Sequence, residues 1–159
     1  MSYRVGHGYD IHRLSPGRRL VLGGVHIPFD KGLEGHSDAD CLTHAIADAI
    51  LGAAGLPDIG HYFPDDDPAT EGIDSQKILE RAAREAAQRG FNIENVDAVL
   101  IAEEPLLAPH IPAMQQRLAK TLGIDADAVG IKATTNEKLG EIGRGEAIAA
   151  SAVCLLAGK

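Results

Sequence analysis

The chain has 159 residues, 45% of them hydrophobic, and a formal net charge of -8. That size suits one compact domain spanning 1–159 with its own core, and the negative charge argues against general affinity for nucleic acid or an anionic membrane. No apolar run approaches the roughly 20 residues that cross a bilayer.

Met1-Ser2-Tyr3-Arg4 leads straight into an alternating pattern, so no cleavable leader is expected and the expected compartment is cytoplasmic. Through residues 3–12, Tyr3, Val5, His7, Tyr9 and Ile11 fall on one face of a strand. Arg4, Gly6, Gly8, Asp10 and His12 fall on the other. Asp10 and His12 therefore project to one side, about 7 Å apart along the strand. Ser15-Pro16-Gly17 reads as a turn, and residues 19–28 as a second strand bent at Gly23-Gly24.

Ser37 followed by Asp40 has the spacing of a capping box, predicting a helix that buries Leu42, Ile46, Ala49, Ile50 and Ala53 and stops near Gly55. Asp40, His44 and Asp48 lie at i, i+4 spacing on one stripe of it. Residues 56–72, including Asp65-Asp66-Asp67, form a loop long enough to suggest function or mobility. A second helix is predicted from Asp74-Ser75 to Gly90, a strand over 96–102, a third helix over 111–122 closed by Gly123, and a strand over 129–135. Residues 146–156 are rich in alanine and permit helix, but Val153-Cys154-Leu155-Leu156 favours a last central strand. The order ββαα-βαββ predicts an α+β fold: a mixed sheet of four to five strands with helices packed on one face. Cys41 and Cys154 have no CxxC partner and read as reduced core thiols.

The chemistry lies in a carboxylate and two imidazoles. Asp10 and His12 share a strand face, and His44 sits early on a helix. Asp40 and Asp48 flank His44 as candidate acceptors for its second ring nitrogen. One carboxylate and two histidines can hold a zinc ion with one coordination position open. Taken singly, each residue also fits a plain polar surface. Thr134-Thr135-Asn136-Glu137-Lys138, with Lys132 and Arg144, is a segment of hydroxyls and cations that can hold phosphate oxygens, and its carboxylate can hold a hard divalent cation against them.

The chain resembles the 2-C-methyl-D-erythritol 2,4-cyclodiphosphate synthase family over nearly its whole length. The resemblance rests on Gly6-His7-Gly8-Tyr9-Asp10-Ile11-His12, Leu22-Gly23-Gly24-Val25 and His36-Ser37-Asp38-Ala39-Asp40 with His44 and Asp48. It continues through Leu51-Gly52-Ala53-Ala54-Gly55, Asp58-Ile59-Gly60, Phe63-Pro64-Asp65, Lys132-Ala133-Thr134-Thr135 and Gly143-Arg144-Gly145-Glu146. It implies a two-layer sandwich of the chorismate-mutase or ferredoxin kind. The implied reaction releases CMP from 4-diphosphocytidyl-2-C-methyl-D-erythritol 2-phosphate as a cyclic diphosphate closes, in non-mevalonate isoprenoid synthesis.

By the same resemblance, Asp10, His12 and His44 bind Zn²⁺, and Glu137 binds Mg²⁺ or Mn²⁺ at the diphosphate. His36, Ser37 and Asp65 meet the methylerythritol part, and Asp58 and Gly60 the ribose. Thr134 and Thr135 take phosphate oxygens, with His36, Thr135 and Glu137 acting at the reacting groups. Ala102 to Ala108 and Ala133 wall a cytosine pocket from a neighbouring subunit of a homotrimer. Arg144 and Glu146 stand at the polar end of a central cavity suited to an isoprenoid diphosphate. Leu106 replaces a common lysine of the family, and Glu141 a common aromatic. A zinc phosphohydrolase and a non-catalytic nucleotide-binding metal module are the competing readings.

Overall fold

The computed structural model describes residues 2–159. Its framework is a five-stranded sheet of β1 (Tyr3–Pro16), β4 (Lys31–Leu33), β5 (Phe91–Ile101), β6 (Val129–Thr134) and β7 (Ala147–Gly158), in the order β4-β1-β7-β5-β6. Only β5 and β6 run parallel; the remaining pairs are antiparallel. A separate hairpin joins β2 (Leu20–Leu22) to β3 (Val25–Ile27). The helices are α1 (Cys41–Ala53), α2 (Ile59–Tyr62), α3 (Ser75–Gln88), α4 (Ile111–Leu122) and α5 (Gly140–Gly143). The α+β reading holds, with α1 against the sheet and α3 packed on α1. No helix among the described residues is long and apolar enough to cross a membrane.

The alternation of β1 decides how α1 sits. Gly6 and Gly8 face the helix, and a Cβ on either would lie 1.8 or 1.9 Å from the carbonyl oxygens of Ala49 and Ala45. Helix backbone thus rests directly on strand backbone, which only glycine permits. The other face of β1 carries Tyr3, Val5, Tyr9 and Ile11, all exposed, with Val5 at 74%. Register places Val153 of β7 beside His7 on that same open face.

Four details differ from the sequence reading. Asp40, not Ser37, caps α1: its Oδ1 accepts the Thr43 N–H at 3.0 Å. Both residues suit the role, but Asp40 also accepts the N–H groups of Gly23 (2.9 Å) and Gly24 (2.8 Å) and the Thr43 hydroxyl (2.7 Å). That ties the hairpin turn to the start of the helix. Burial raises the Asp40 carboxyl, and these four donors offset the cost. Second, Gly23-Gly24 is a hairpin turn with positive φ (59° and 72°), so residues 19–28 make two strands rather than one bent strand. Third, the 56–72 loop contains α2 and a 3-10 turn at Pro68–Thr70, and β4 lies at the sheet edge where no strand was expected. Fourth, β5 begins at Phe91, before the expected start, and β7 runs the full Ala147–Gly158 with ladders to β1 and β5 on both sides. Its alanines lose their helix preference to interstrand hydrogen bonds along both sides. Cys41 and Cys154 are buried and free, as expected.

Candidate metal centre and substrate cleft

Because β1 carries its even-numbered residues towards the helices, Asp10 and His12 face the first turn of α1, where His44 projects back at them. Asp10 Oδ2 lies 2.8 Å from His12 Nε2 and 3.0 Å from His44 Nδ1. The three side chains offer ligand atoms within 4.8 Å of one another, and among the described residues they are the group able to hold a metal ion.

Two observations bear on whether these residues fit a cation. His12 Nδ1 donates to the Glu34 carbonyl at 2.7 Å, which leaves Nε2 as the atom facing the cluster. That Nε2 is buried and makes no hydrogen bond, although Asp10 Oδ2 lies 2.8 Å away. A buried polar atom without a partner is costly, and a bound cation supplies the missing interaction. The donor set of two imidazoles and one carboxylate is that of catalytic zinc sites with an open position. Burial opposes ionisation of Asp10, but the two imidazoles outweigh it and hold the carboxyl at about 2. Burial lowers His12, yet the adjacent Asp10 and the Glu34 carbonyl together raise its pKa above the ordinary value.

Asp40 and Asp48, expected to accept from the second nitrogen of His44, do not. Asp40 is occupied at the hairpin, and Asp48 Oδ1 accepts the Ile59 N–H at 2.9 Å, anchoring α2. His44 Nε2 instead meets Ser75 Oγ at 2.8 Å and Ser37 Oγ at 3.2 Å. Ser75 starts α3, 31 residues away from His44 in sequence. Sequence spacing carried no trace of that contact.

The cluster lies in a cleft of about 290 Å³. His36, Ser37, Asp58, Gly60 and Asp65 line the same cleft, as does Asp48. The loop over it is tied down: His36 Nε2 donates to the Asp67 carbonyl at 2.8 Å and lies 3.2 Å from the Thr70 hydroxyl.

The second group of expected site residues lies outside this cleft. Ala102, Ala108, Ala133, Thr134, Thr135, Glu137 and Arg144 are absent from its lining. Glu137 and Lys138 adopt positive φ of 51° and 61°, a strained conformation for residues with a Cβ. Glu103 holds the turn by accepting the N–H groups of Asn136 (2.8 Å) and Lys138 (3.2 Å), and Thr135 Oγ1 accepts that of Glu137 at 3.2 Å. Glu103 was missed; a carboxylate 33 residues upstream of Asn136 gives no local signal. The expected positive character is also reduced. Lys132 pairs with Asp97, and Arg144 pairs with Glu146 at 2.9 Å and Glu141 at 4.0 Å. Arg144 and Lys138 line a separate hollow of about 560 Å³ with Glu103 and Glu104. Leu106 is exposed.

The family model of the YgbB family matches residues 3–157. The chain belongs to the YgbB family. This YgbB chain is 59% identical over 153 residues to a protein of Synechococcus sp. (strain JA-2-3B'a(2-13)) named 2-C-methyl-D-erythritol 2,4-cyclodiphosphate synthase, covering 96% of this chain and 98% of that one. A protein of Laribacter hongkongensis (strain HLHK9) with the same name is 58% identical over 156 residues, covering 98% and 96%. Among solved structures, the CDP complex of IspF from Plasmodium falciparum superposes with a TM-score of 0.87 at 35% identity, over 99% of this chain and 97% of that one. The bifunctional IspDF of Campylobacter jejuni gives a TM-score of 0.96 at 40% identity. There this chain, 99% covered, spans 43% of the longer protein.

Proposed function

We propose that this YgbB protein is a 2-C-methyl-D-erythritol 2,4-cyclodiphosphate synthase. It converts 4-diphosphocytidyl-2-C-methyl-D-erythritol 2-phosphate to the 2,4-cyclodiphosphate and CMP, as a single domain in the cytoplasm. The observation that carries this reading is the convergence of Asp10, His12 and His44 at a cleft that His36, Ser37, Asp58, Gly60 and Asp65 also line. The names of its relatives supply the product.

The chemistry asks little of acids or bases. The nucleophile is the substrate's own 2-phosphate, whose second pKa near 6 leaves it mostly dianionic at neutral pH. One of its oxygens forms a bond to the β-phosphorus as the bond from that phosphorus to the bridging oxygen breaks. The electron pair leaves with CMP, itself a stable phosphate, and no water is consumed. Repulsion between anions and the ordering of a flexible polyol are what oppose the step. When bound, Zn²⁺ at Asp10, His12 and His44 and Mg²⁺ or Mn²⁺ at Glu137 supply positive charge against the phosphate oxygens.

The chain's own residues position the rest. His36, held by the Asp67 carbonyl, and Ser37 present polar groups to the methylerythritol. Asp58 and Gly60, fixed through the Asp48–Ile59 hydrogen bond, meet the ribose. Thr134, Thr135 and Glu137 act on the phosphates, while Ala102, Ala108 and Ala133 wall the cytosine. Because this second set lies outside the cleft of its own chain, it serves the cleft of a neighbouring copy in a homotrimer. The open sheet face with Tyr3, Val5, Tyr9, Ile11 and Val153 supports that assembly, since apolar exposure of this kind marks interaction surfaces. Arg144, clasped by Glu146, stands at the polar end of a central cavity for an isoprenoid diphosphate.

Incubation with the cytidine substrate, Zn²⁺ and Mg²⁺ tests the reading by ³¹P NMR and mass spectrometry. CMP with a cyclic diphosphate supports it. CMP with the uncyclised 2,4-bisphosphate, formed with uptake of one water, makes the protein a zinc phosphohydrolase, and unchanged substrate makes it a binding module.

A further inference from the structure

Ser75 and Asp38 form a relay behind His44 that no part of the proposed reaction uses. Ser75 is wholly buried, and its Oγ lies 2.8 Å from His44 Nε2. On its other side the same hydroxyl donates to Asp38 Oδ1. Asp38 is itself fixed from two directions, with Oδ1 accepting the Asp40 N–H at 3.1 Å and Oδ2 the Ser75 N–H at 3.0 Å. Backbone N–H groups cannot reverse their polarity, so both carboxylate oxygens are committed as acceptors. The Ser75 proton therefore goes to Asp38, and a lone pair of Ser75 Oγ is left facing the imidazole. Ser37 Oγ, 3.2 Å from the same nitrogen, accepts the Ala39 N–H at 3.1 Å and presents no competing fixed donor.

We infer that Ser75 and Asp38 are positioning residues that keep a proton on His44 Nε2 and fix the ring, so that Nδ1 is the atom turned towards Asp10 and His12. The polarity runs one way: His44 Nε2–H donates to Ser75 Oγ, and Ser75 Oγ–H donates to Asp38. Nδ1, which hydrogen-bonds Asp10 Oδ2 at 3.0 Å in the metal-free protein, is the ligand atom that His44 offers a cation in place of that proton. The inference rests on the metal-site reading above, but it concerns a hydrogen-bond polarity that exists without the metal. Outer hydrogen-bond partners of this kind typically change metal affinity by about 10- to 100-fold.

The test uses the full chain and two readouts independent of turnover. Long-range ¹H–¹⁵N NMR of the metal-free protein is expected to show His44 protonated on Nε2. Finding Nε2 unprotonated overturns the inference. Chelator competition is expected to show Ser75→Ala binding zinc at least tenfold more weakly than the wild type, with unchanged far-ultraviolet circular dichroism. A smaller loss overturns the inference. Should Ser75→Ala fail to fold, Asp38→Asn is judged by the same tenfold criterion. Should neither variant fold, the wild-type Nε2 spectrum decides. Failure of the wild type to bind zinc counts against the metal site alone, because the Nε2 spectrum needs no zinc.

Discussion

Gly8→Ala is the substitution that connects packing to chemistry most directly. An added Cβ would stand 1.9 Å from the Ala45 carbonyl oxygen and 2.9 Å from the Ala49 nitrogen, both backbone atoms of α1. Ordinary contact begins near 3.4 Å, so strand and helix must separate by roughly 1.5 Å. No side chain can rotate away to absorb the clash. Overpacking of this sort costs about 1–3 kcal/mol, which at about 2–4 °C per kcal/mol lowers the melting temperature by about 2–12 °C. The effect on the metal site is more severe. Asp10 follows Gly8 by two residues on β1, and His44 adjoins Ala45 on α1, so the separation opens between the ligands themselves. Metal–ligand distances tolerate only about 0.2 Å. Calorimetry and zinc competition on Gly8→Ala should therefore show a folded protein that melts somewhat earlier and has lost most of its zinc affinity. Wild-type zinc affinity in that variant would refute the idea that this backbone contact sets the ligand spacing.

His44→Ala should retain the fold, with circular dichroism close to wild type, while abolishing zinc binding and turnover; full activity would remove the metal site from the mechanism. Glu137→Gln should leave zinc content unchanged and depress Mg²⁺- or Mn²⁺-dependent turnover by at least tenfold, read by CMP release; loss of zinc in that variant would place Glu137 wrongly. In the metal-free protein the Asp10 carboxyl is depressed from 3.8 to about 2. A group lowered on folding stabilises above its unfolded value and loses that contribution as pH falls through the folded one. Acid denaturation should accordingly show about 2 kcal/mol lost between about pH 4 and pH 2. Asp10→Asn should remove that component, and an unchanged acid transition in this variant would contradict the assignment.

The parts of the site legible in the sequence were those governed by short, rigid periods. Two-residue alternation placed Asp10 and His12 on one face of β1 because a strand leaves no other choice; that helix backbone closes on Gly6 and Gly8 of the same face appears only in the structure. A single turn of helix then aimed His44 at them. What remained hidden depends on contacts between distant segments. Ser37 and Asp40 are equally good helix caps by local chemistry, and only the arrival of the Gly23-Gly24 turn decides between them. Asp48 has the spacing of a partner for His44, yet its hydrogen bond goes to Ile59. Ser75 and Glu103 reach their partners across more than 30 residues. The three-residue strands β2, β3 and β4 are too short to show a period. The alanines of β7 fit helix as readily as strand until β1 and β5 pair along both its sides.

Helix α1 carries two anchors one turn apart, about 6 Å along its axis. His44 reaches the cation-binding end of the cleft, and Asp48 grips the N–H of Ile59 in the wall that bears Asp58 and Gly60. Any tilt or slide of this rod carries both ends of the cleft together. The helix thus works as a gauge bar: the span between ion and wall stays constant even when the rest of the molecule shifts around it.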